Sequence, residues 1–334
     1  MKRIALLCPG RGSYTEKTLR SLPEGHPWVT RADELRAEYG LPSLVALDRA
    51  DKFSPPSHLL PANVSPLIYL VSMLDCAAAM QEHKAVCVAG NSLGWYTALA
   101  VAGALDFDDG FRLVQEMSLL QHEHQAREKS GGQVIEALVD DAWRPVPALR
   151  AAVYEAIRTS NGQAFRSIDL GGLAVLAGTE EGVAHLLKSL PKVKVGNNQY
   201  PFRLMQHGPY HTPLVQEVAT KARAQLARLA FRAPRVTLID GRGARFTPWS
   251  TDVSALVDYT LGAQITTPYD FALSVRVALR EYAPDHLVAP GPGNSLGGVI
   301  GQILIAEGWR GIRERADFDR VQQSEKPVLV SMRR

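Results

Sequence analysis

Cysteine is scarce: Cys8, Cys76 and Cys87 are the only three in 334 residues, and each sits among apolar neighbours. An odd count without regular spacing excludes a disulfide framework and a structural zinc site, and it fits a reducing cytoplasm. A dominant charge is lacking too. The 37 basic and 34 acidic residues leave a net charge of +3 spread along the chain, which excludes the basic patch a nucleic-acid partner needs. No window approaches the roughly 20 uninterrupted apolar residues of a bilayer span, so no membrane partner is expected. Lys2-Arg3 followed by Ile4 to Cys8 is too short for a signal peptide and runs straight into Pro9-Gly10. Internal repeats and low-complexity segments are missing as well.

What is present is a globular composition, 46% hydrophobic and 21% charged, long enough for one large domain or two smaller ones. Its focus is the stretch Val86-Cys87-Val88-Ala89-Gly90-Asn91-Ser92-Leu93-Gly94, where an apolar run meets a Gly-x-Ser-x-Gly turn and then helix-forming residues. That pattern reads as strand, sharp elbow and helix, with Ser92 at the apex. The serine is strained there, and Gly90 and Gly94 remove the side chains that would collide. Amides at the start of the helix, Leu93 first, would face negative charge forming on an attacked carbonyl. A serine ahead of a helix is also a common N-cap, so the pattern alone leaves both readings open.

Ile4 to Cys8 reads as a buried strand ending in the loop Pro9-Gly10-Arg11-Gly12-Ser13. This loop lacks the third glycine of a dinucleotide fingerprint and the Lys-Ser/Thr of a P-loop, which favours a loop lending a backbone amide to a reaction centre. Leu67 to Met80 reads as a buried helix feeding the Val86 strand, and Trp95 to Leu105 as another. A further helix is expected from Asp106 to about Lys129. On it Gly110, Val114, Met117 and Gln121 share one face, which turns Met117 inward. From Gly131 to about Arg203 the pattern strand, helix, strand, helix, strand suggests a compact α+β insert, its last strand near Lys192 to Val195. Helices at Leu214 to Leu229, Val253 to Leu261 and Asp270 to Tyr282, strands at Val236 to Ile239 and His286 to Ala289, and a closing helix at Leu296 to Glu307 complete an α/β layer structure with a mainly parallel sheet.

A nucleophilic serine needs a base. Ser92, Asp240 and His286 follow the chain order of an α/β-hydrolase triad, but His286 lies inside an apolar strand run and the hydrolase oxyanion loop is missing. His211, held between Pro209 and Pro213 beside Tyr210, is the other candidate; alone, it also reads as a helix-capping histidine. His207 and His211 are four apart, but Gly208-Pro209 forbids the helical spacing of co-ligands.

Together, Cys8-Pro9-Gly10-Arg11-Gly12-Ser13, Gly90-Asn91-Ser92-Leu93-Gly94-Trp95-Tyr96, Gly208-Pro209-Tyr210-His211-Thr212-Pro213, Gln264 with Thr267-Pro268, and Gly291-Pro292-Gly293 span nearly the whole chain in order. In this the sequence resembles malonyl-CoA:acyl-carrier-protein transacylases and polyketide-synthase acyltransferase domains. The resemblance implies a Ser92–His211 dyad, an oxyanion hole from the amides of Arg11 and Leu93, and a main-chain carbonyl at Gln264 orienting the histidine. It implies an α/β-hydrolase-like large subdomain, residues 1–126 and 204–334, with a ferredoxin-like small subdomain, 127–203, inserted. An acyl group would pass from CoA to the phosphopantetheine thiol of an acyl carrier protein, without a cofactor. Lys188, Lys192, Lys194 and Arg203 offer a basic surface for such a carrier. Hydrolysis of acyl-thioesters, or a non-catalytic role beside a synthase, are the alternatives.

The chain departs from the family at three positions. Asn91 stands where His is usual, and Arg11 where Gln is. On the helix after the elbow, malonyl-specific members carry an arginine for the substrate carboxylate, and ungapped alignment puts Met117 there, or Glu116 with a one-residue shift. An unpartnered buried carboxylate costs several kcal/mol, at about 1.4 kcal/mol per tenfold in affinity. An apolar acyl pocket of Met117, Asn91 and Tyr210 and an uncharged acyl load are therefore expected. A side chain of Arg11 turned inward would instead retain a carboxylate.

Overall fold

The computed structural model describes residues 1–127 and 131–333. The chain opens with β1 (Arg3–Cys8), passes through the helix Pro61–Glu82 and enters β2 (Lys84–Gly90). The second to sixth residues of β1 are buried, as are the last four of β2, so both strands read as continuous apolar runs. By length and composition the Pro61–Glu82 helix would suit a membrane, but 78% of its most apolar window is buried inside the fold, which makes it a core helix. After the elbow come the helices Gly94–Val101 and Phe107–Arg127. The first is shorter than its apolar run, because Gly103 turns the chain with φ +76°. The second was expected to reach about Lys129, a residue outside those described.

Next follow β3 (Gly132–Ala137), helix Pro147–Thr159, β4 (Ala164–Asp169), β5 (Leu173–Gly178), helix Glu180–Ser189, β6 (Val193–Val195), β7 (Asn198–Tyr200) and β8 (Phe202–Arg203). The return segment carries the helix Gln216–Leu226, β9 (Thr237–Ile239), β10 (Arg245–Phe246), helix Val253–Asp258, β11 (Tyr269–Asp270), helix Phe271–Tyr282, β12 (His286–Ala289) and helix Gly297–Ala306. Gly297–Ala306 does not close the chain: a helix Arg315–Gln322 and β13 (Leu329–Ser331) follow it.

The large sheet runs β10-β9-β2-β1-β12-β13, parallel throughout except for the β9–β10 pair. Leu6 of β1 sits in register with Val88 of β2 on one side and Val288 of β12 on the other. Loops leaving the carboxyl ends of adjacent parallel strands converge on one crevice, the usual place for a site in an open α/β sheet. Here those are the Arg11 loop, the Ser92 elbow and the Gly291 loop. The last backs the first: a Cβ on Gly293 would lie 2.5 Å from the Ser13 carbonyl oxygen.

The second sheet runs β11-β4-β5-β3-β8, and its β4, β5, β3 and β8 are antiparallel neighbours with two helices on one face, the ferredoxin-like arrangement. Val134, Leu138, Val153, Leu176, Val183 and Leu186 form its own small core. Two details differ from the sequence expectation. β4 is an additional strand, its burial irregular and its register shifted beside exposed Arg166. The segment near Lys192 to Val195 does not close this sheet; it pairs with β7 as a separate hairpin, and β8 takes the edge beside β3. β11, from the return segment, adds in parallel to β4 through Tyr269↔Ile168, so the large layer lends the small sheet a strand.

Candidate active site

Ser92 has φ +55° at the tip of the elbow, the left-handed conformation expected of a strained nucleophile turn. The flanking glycines are required by contact. A Cβ on Gly90 would lie 2.1 Å from the Gly94 carbonyl carbon, and one on Gly94 would lie 2.2 Å from the Cys8 carbonyl oxygen. β1 and the helix after the elbow are thus pressed together at the point where Ser92 emerges.

Ser92 Oγ lies 2.7 Å from His211 Nε2, and His211 Nδ1 lies 2.7 Å from the Gln264 carbonyl oxygen. A carbonyl only accepts, so Nδ1 carries the proton and Nε2 presents its lone pair to the serine hydroxyl. The His211 amide donates to the Ile265 carbonyl, and its own φ is +59°. Burial pushes the imidazole down to about 4, opposed by the Gln264 carbonyl, so at neutral pH it is an uncharged base. Gln264 comes off a wide helical turn, Tyr259–Ala263, of the kind frequent at functional sites. Its side chain also binds the elbow: Nε2 donates to the Ser92 carbonyl at 3.2 Å, and Oε1 accepts from Tyr96 Oη at 2.7 Å. Tyr96 follows Ser92 by four residues, a spacing that points it back over the nucleophile. Tyr269 Oη donates to the Gly90 carbonyl at 2.6 Å, its ring 5.6 Å from that of His211; no local pattern in the sequence marks it.

The other triad falls apart. His286 is buried in β12 with Nδ1 2.6 Å from the Pro327 carbonyl, while Asp240 is held by Arg242 and by the Arg242 and Ala244 amides. His207 Nδ1 lies 2.8 Å from Gln133 Oε1, away from any shared ligand with His211.

Ser92 and His211 open into a cleft of about 480 Å³. Val114, Met117, Ser118 and Gln121 line one wall, Val215 and Val218 another, and Arg11, Ser65, Leu93, Tyr96, Tyr210, Gln264 and Ile265 the rest. The two-register question on the helix resolves to Met117. Glu116 turns away, accepting from Tyr39 Oη at 2.8 Å and pairing with Arg228. Asn91, expected in the acyl pocket, is not on the cleft wall. It lies behind the elbow, its side chain against Gly10, because the residue before the nucleophile still belongs to the strand side of the turn. Arg11 does turn its guanidinium into the cleft: Nη1 donates to Tyr210 Oη at 2.8 Å and Nη2 to the Gln206 carbonyl at 2.6 Å. Gln125 Nε2 donates to the same Tyr210 Oη at 2.8 Å. Of the basic surface residues, Arg203 pairs with Glu180, and Lys188, Lys192 and Lys194 are all exposed, Lys192 donating to the Leu187 carbonyl.

A mainly parallel α/β layer with an elbow serine, a neutral histidine on its hydroxyl and an inserted antiparallel small sheet defines a serine-nucleophile enzyme of two sheets. No protein-family model matches the chain. It is similar, however, to curated malonyl CoA-acyl carrier protein transacylases along nearly its full length. That of Escherichia coli K12 is 27% identical over 313 residues, covering 91% of this chain and 94% of the relative. That of Bacillus subtilis 168 is 26% identical, covering 91% of each. Among solved structures, the Xanthomonas oryzae malonyl-CoA:acyl carrier protein transacylase aligns with TM-score 0.74 at 22% identity, over 90% of this chain and 91% of that one. A type II polyketide-synthase malonyl-transacylase in complex with its acyl carrier protein aligns with TM-score 0.74 at 21% identity, over 91% and 93%. The resemblance carried by the ordered motifs therefore holds in sequence and in fold along about nine-tenths of the chain.

Proposed function

We propose that this protein is a serine acyltransferase that moves an acyl group from a CoA thioester to the phosphopantetheine thiol of an acyl carrier protein by a ping-pong route in the cytoplasm. The observation that carries the reading is the relay Ser92 Oγ, His211 Nε2–Nδ1, Gln264 carbonyl, with both links at 2.7 Å. His211 Nε2 takes the hydroxyl proton as Ser92 Oγ attacks the thioester carbonyl. Negative charge on the carbonyl oxygen meets the Arg11 and Leu93 amides, at the junction of the β1 loop and the elbow. The C–S bond breaks, the CoA sulfur takes the proton from Nε2, and the acyl group remains on Ser92 as an ester. A carrier thiol then gives its proton to Nε2, its sulfur attacks the ester, and Ser92 Oγ leaves with the proton restored. The Gln264 carbonyl holds the imidazole in the tautomer each step needs.

Intact-protein mass spectrometry tests this, with malonyl-CoA as the first donor because the relatives are named for it, alongside acetyl-CoA and longer acyl-CoAs. An adduct that needs Ser92, judged against Ser92→Ala, and that passes to added holo carrier protein is expected. An adduct that decays to free acid instead would make the protein a hydrolase. No adduct from any donor would overturn the catalytic reading in favour of a non-catalytic partner of a synthase.

A further inference from the structure

We propose that a groove between the Pro61–Glu82 helix and the carboxyl end of the Gly94–Val101 helix is a second binding site, one that takes a medium-chain fatty acid anion with its tail along two methionines and its carboxylate on Arg232 and Arg235. The site is independent of the acyl-transfer reading, since the groove and the Ser92 cleft share no lining residue. Met73, Cys76, Ala77 and Met80 line it from one helix at i, i+3, i+4 and i+7, a single apolar stripe about 10 Å long at 1.5 Å per residue. Small Cys76 and Ala77 between two long methionines make the stripe a trough, and methionine adapts to a flexible chain. Val101, Leu105 and the stacked rings of Trp28 and Phe107, 5.2 Å apart, add further apolar wall. The hollow measures about 750 Å³, within the ordinary range of small-molecule sites.

Charge decides what kind of chain fits. Arg232 and Arg235 line the same groove, and both are fastened around the Gly103 turn. Arg232 Nε donates to the Gly103 carbonyl at 2.9 Å, while the Arg232 and Arg235 amides donate to the Ala104 and Ala102 carbonyls at 3.0 and 2.7 Å. A Cβ on Gly103 would lie 3.2 Å from Arg235 Cγ and Cδ, so the Arg235 stem rests on the bare glycine. Neither guanidinium has an acidic partner among the described residues. The acids close by in the chain are engaged elsewhere, Asp108 with Arg31, and Asp109 with Arg112 and the Ala230 amide. Asp106 is the one acid among the described residues that lines the groove, and its Oδ1 accepts from the Asp109 amide. Two cations against one carboxylate leave a single positive charge, which suits a carboxylate monoanion better than a phosphate dianion. A purely apolar ligand would leave the arginines unpaired, and a small anion would leave the stripe bare; a fatty acid satisfies both.

Isothermal titration calorimetry of the full chain tests the site, with octanoate, decanoate and dodecanoate as ligands and decyltrimethylammonium as the same tail under the opposite charge. Saturable one-to-one binding of decanoate is expected, and affinity should rise about tenfold for every two carbons buried in the trough. Decyltrimethylammonium should bind at least about tenfold more weakly than decanoate. Arg235→Glu, at an exposed position, should weaken decanoate about tenfold or more. Ala77→Phe, which fills the trough, should abolish binding while the melting temperature stays within a few degrees of the wild type. Equal affinity for the two head groups would overturn the inference, because the groove would then be an apolar surface and nothing more. So would decanoate binding that neither variant changes, which would put the acid elsewhere on the protein, or no saturable binding of any of the three acids. None of these readouts involves Ser92 acylation, so failure here leaves the acyl-transfer reading standing.

Discussion

The pH dependence of the first half-reaction should be unusual for a histidine-based enzyme. His211 is buried and bonded through Nδ1 to a main-chain carbonyl rather than to a carboxylate, and burial pushes it down to about 4 from the ordinary 6.5. The base is therefore already deprotonated across the physiological range, and the Ser92 acylation rate should be flat from pH 8 to about 5.5. Below that it should fall, reaching half its plateau within about a unit of pH 4 and dropping tenfold per further unit. The same shift is a stability statement. Between 6.5 and about 4 the unfolded chain binds a proton at this histidine that the native protein does not. Its stabilising effect is therefore full above 6.5 and is lost as pH falls through that window. Across that window the effect amounts to about 3 kcal/mol. Burial lowers His207 as well, in the same direction. Single-turnover acylation followed by intact mass between pH 4 and 8, with urea unfolding at pH 7.5 and 5, reads both quantities. A half-point for acylation near 6.5 would refute the reasoning, since it would require an imidazole in contact with water. His211→Asn should abolish acylation and reduce the difference in stability between the two pH values.

Gly94→Ala should destabilise the protein by several kcal/mol and abolish acylation, because its Cβ would lie 2.2 Å from the Cys8 carbonyl oxygen; a melting temperature within a few degrees of the wild type would contradict this. Glu136 is fully buried in β3, its Oε1 accepting only from the Ala137 amide and its Oε2 without a partner, and burial pushes its carboxyl up to about 7. Here the native protein binds the extra proton. Stability is full below the ordinary carboxylate range and is lost as pH rises towards 7, so Glu136→Gln should stabilise by about 1–3 kcal/mol at pH 8 and by little at pH 4.5, as measured by denaturant titration.

The parts of the site legible in the sequence were those with local signatures. The elbow shows itself because Gly-x-Ser-x-Gly after an apolar run has few other geometries, and Met117 because spacings of three and four fix a helix face. His211 was legible through its two flanking prolines, and Gln264 through its place in the ordered motifs. The direction of a long side chain has no such signature. Whether Arg11 points into the cleft depends on Tyr210 and Gln206, almost 200 residues away. Asn91 was misplaced because adjacency to Ser92 along the chain says nothing about which side of a sharp turn a side chain takes. In the fold, β4 escaped notice because the irregularity beside Arg166 removes its alternation, and β8 because two residues carry no periodicity. β13 is a short apolar run beyond the helix taken to close the chain.

Tyr269 gives the two sheets a common rivet. Its backbone is a strand of the small sheet, through the pairing with Ile168, while its hydroxyl is bolted to the Gly90 carbonyl beneath the nucleophile. Swinging the small sheet away from the large one would tear either a strand pairing or the bond that steadies the elbow. On this side the cleft thus has a fixed gauge rather than a hinge.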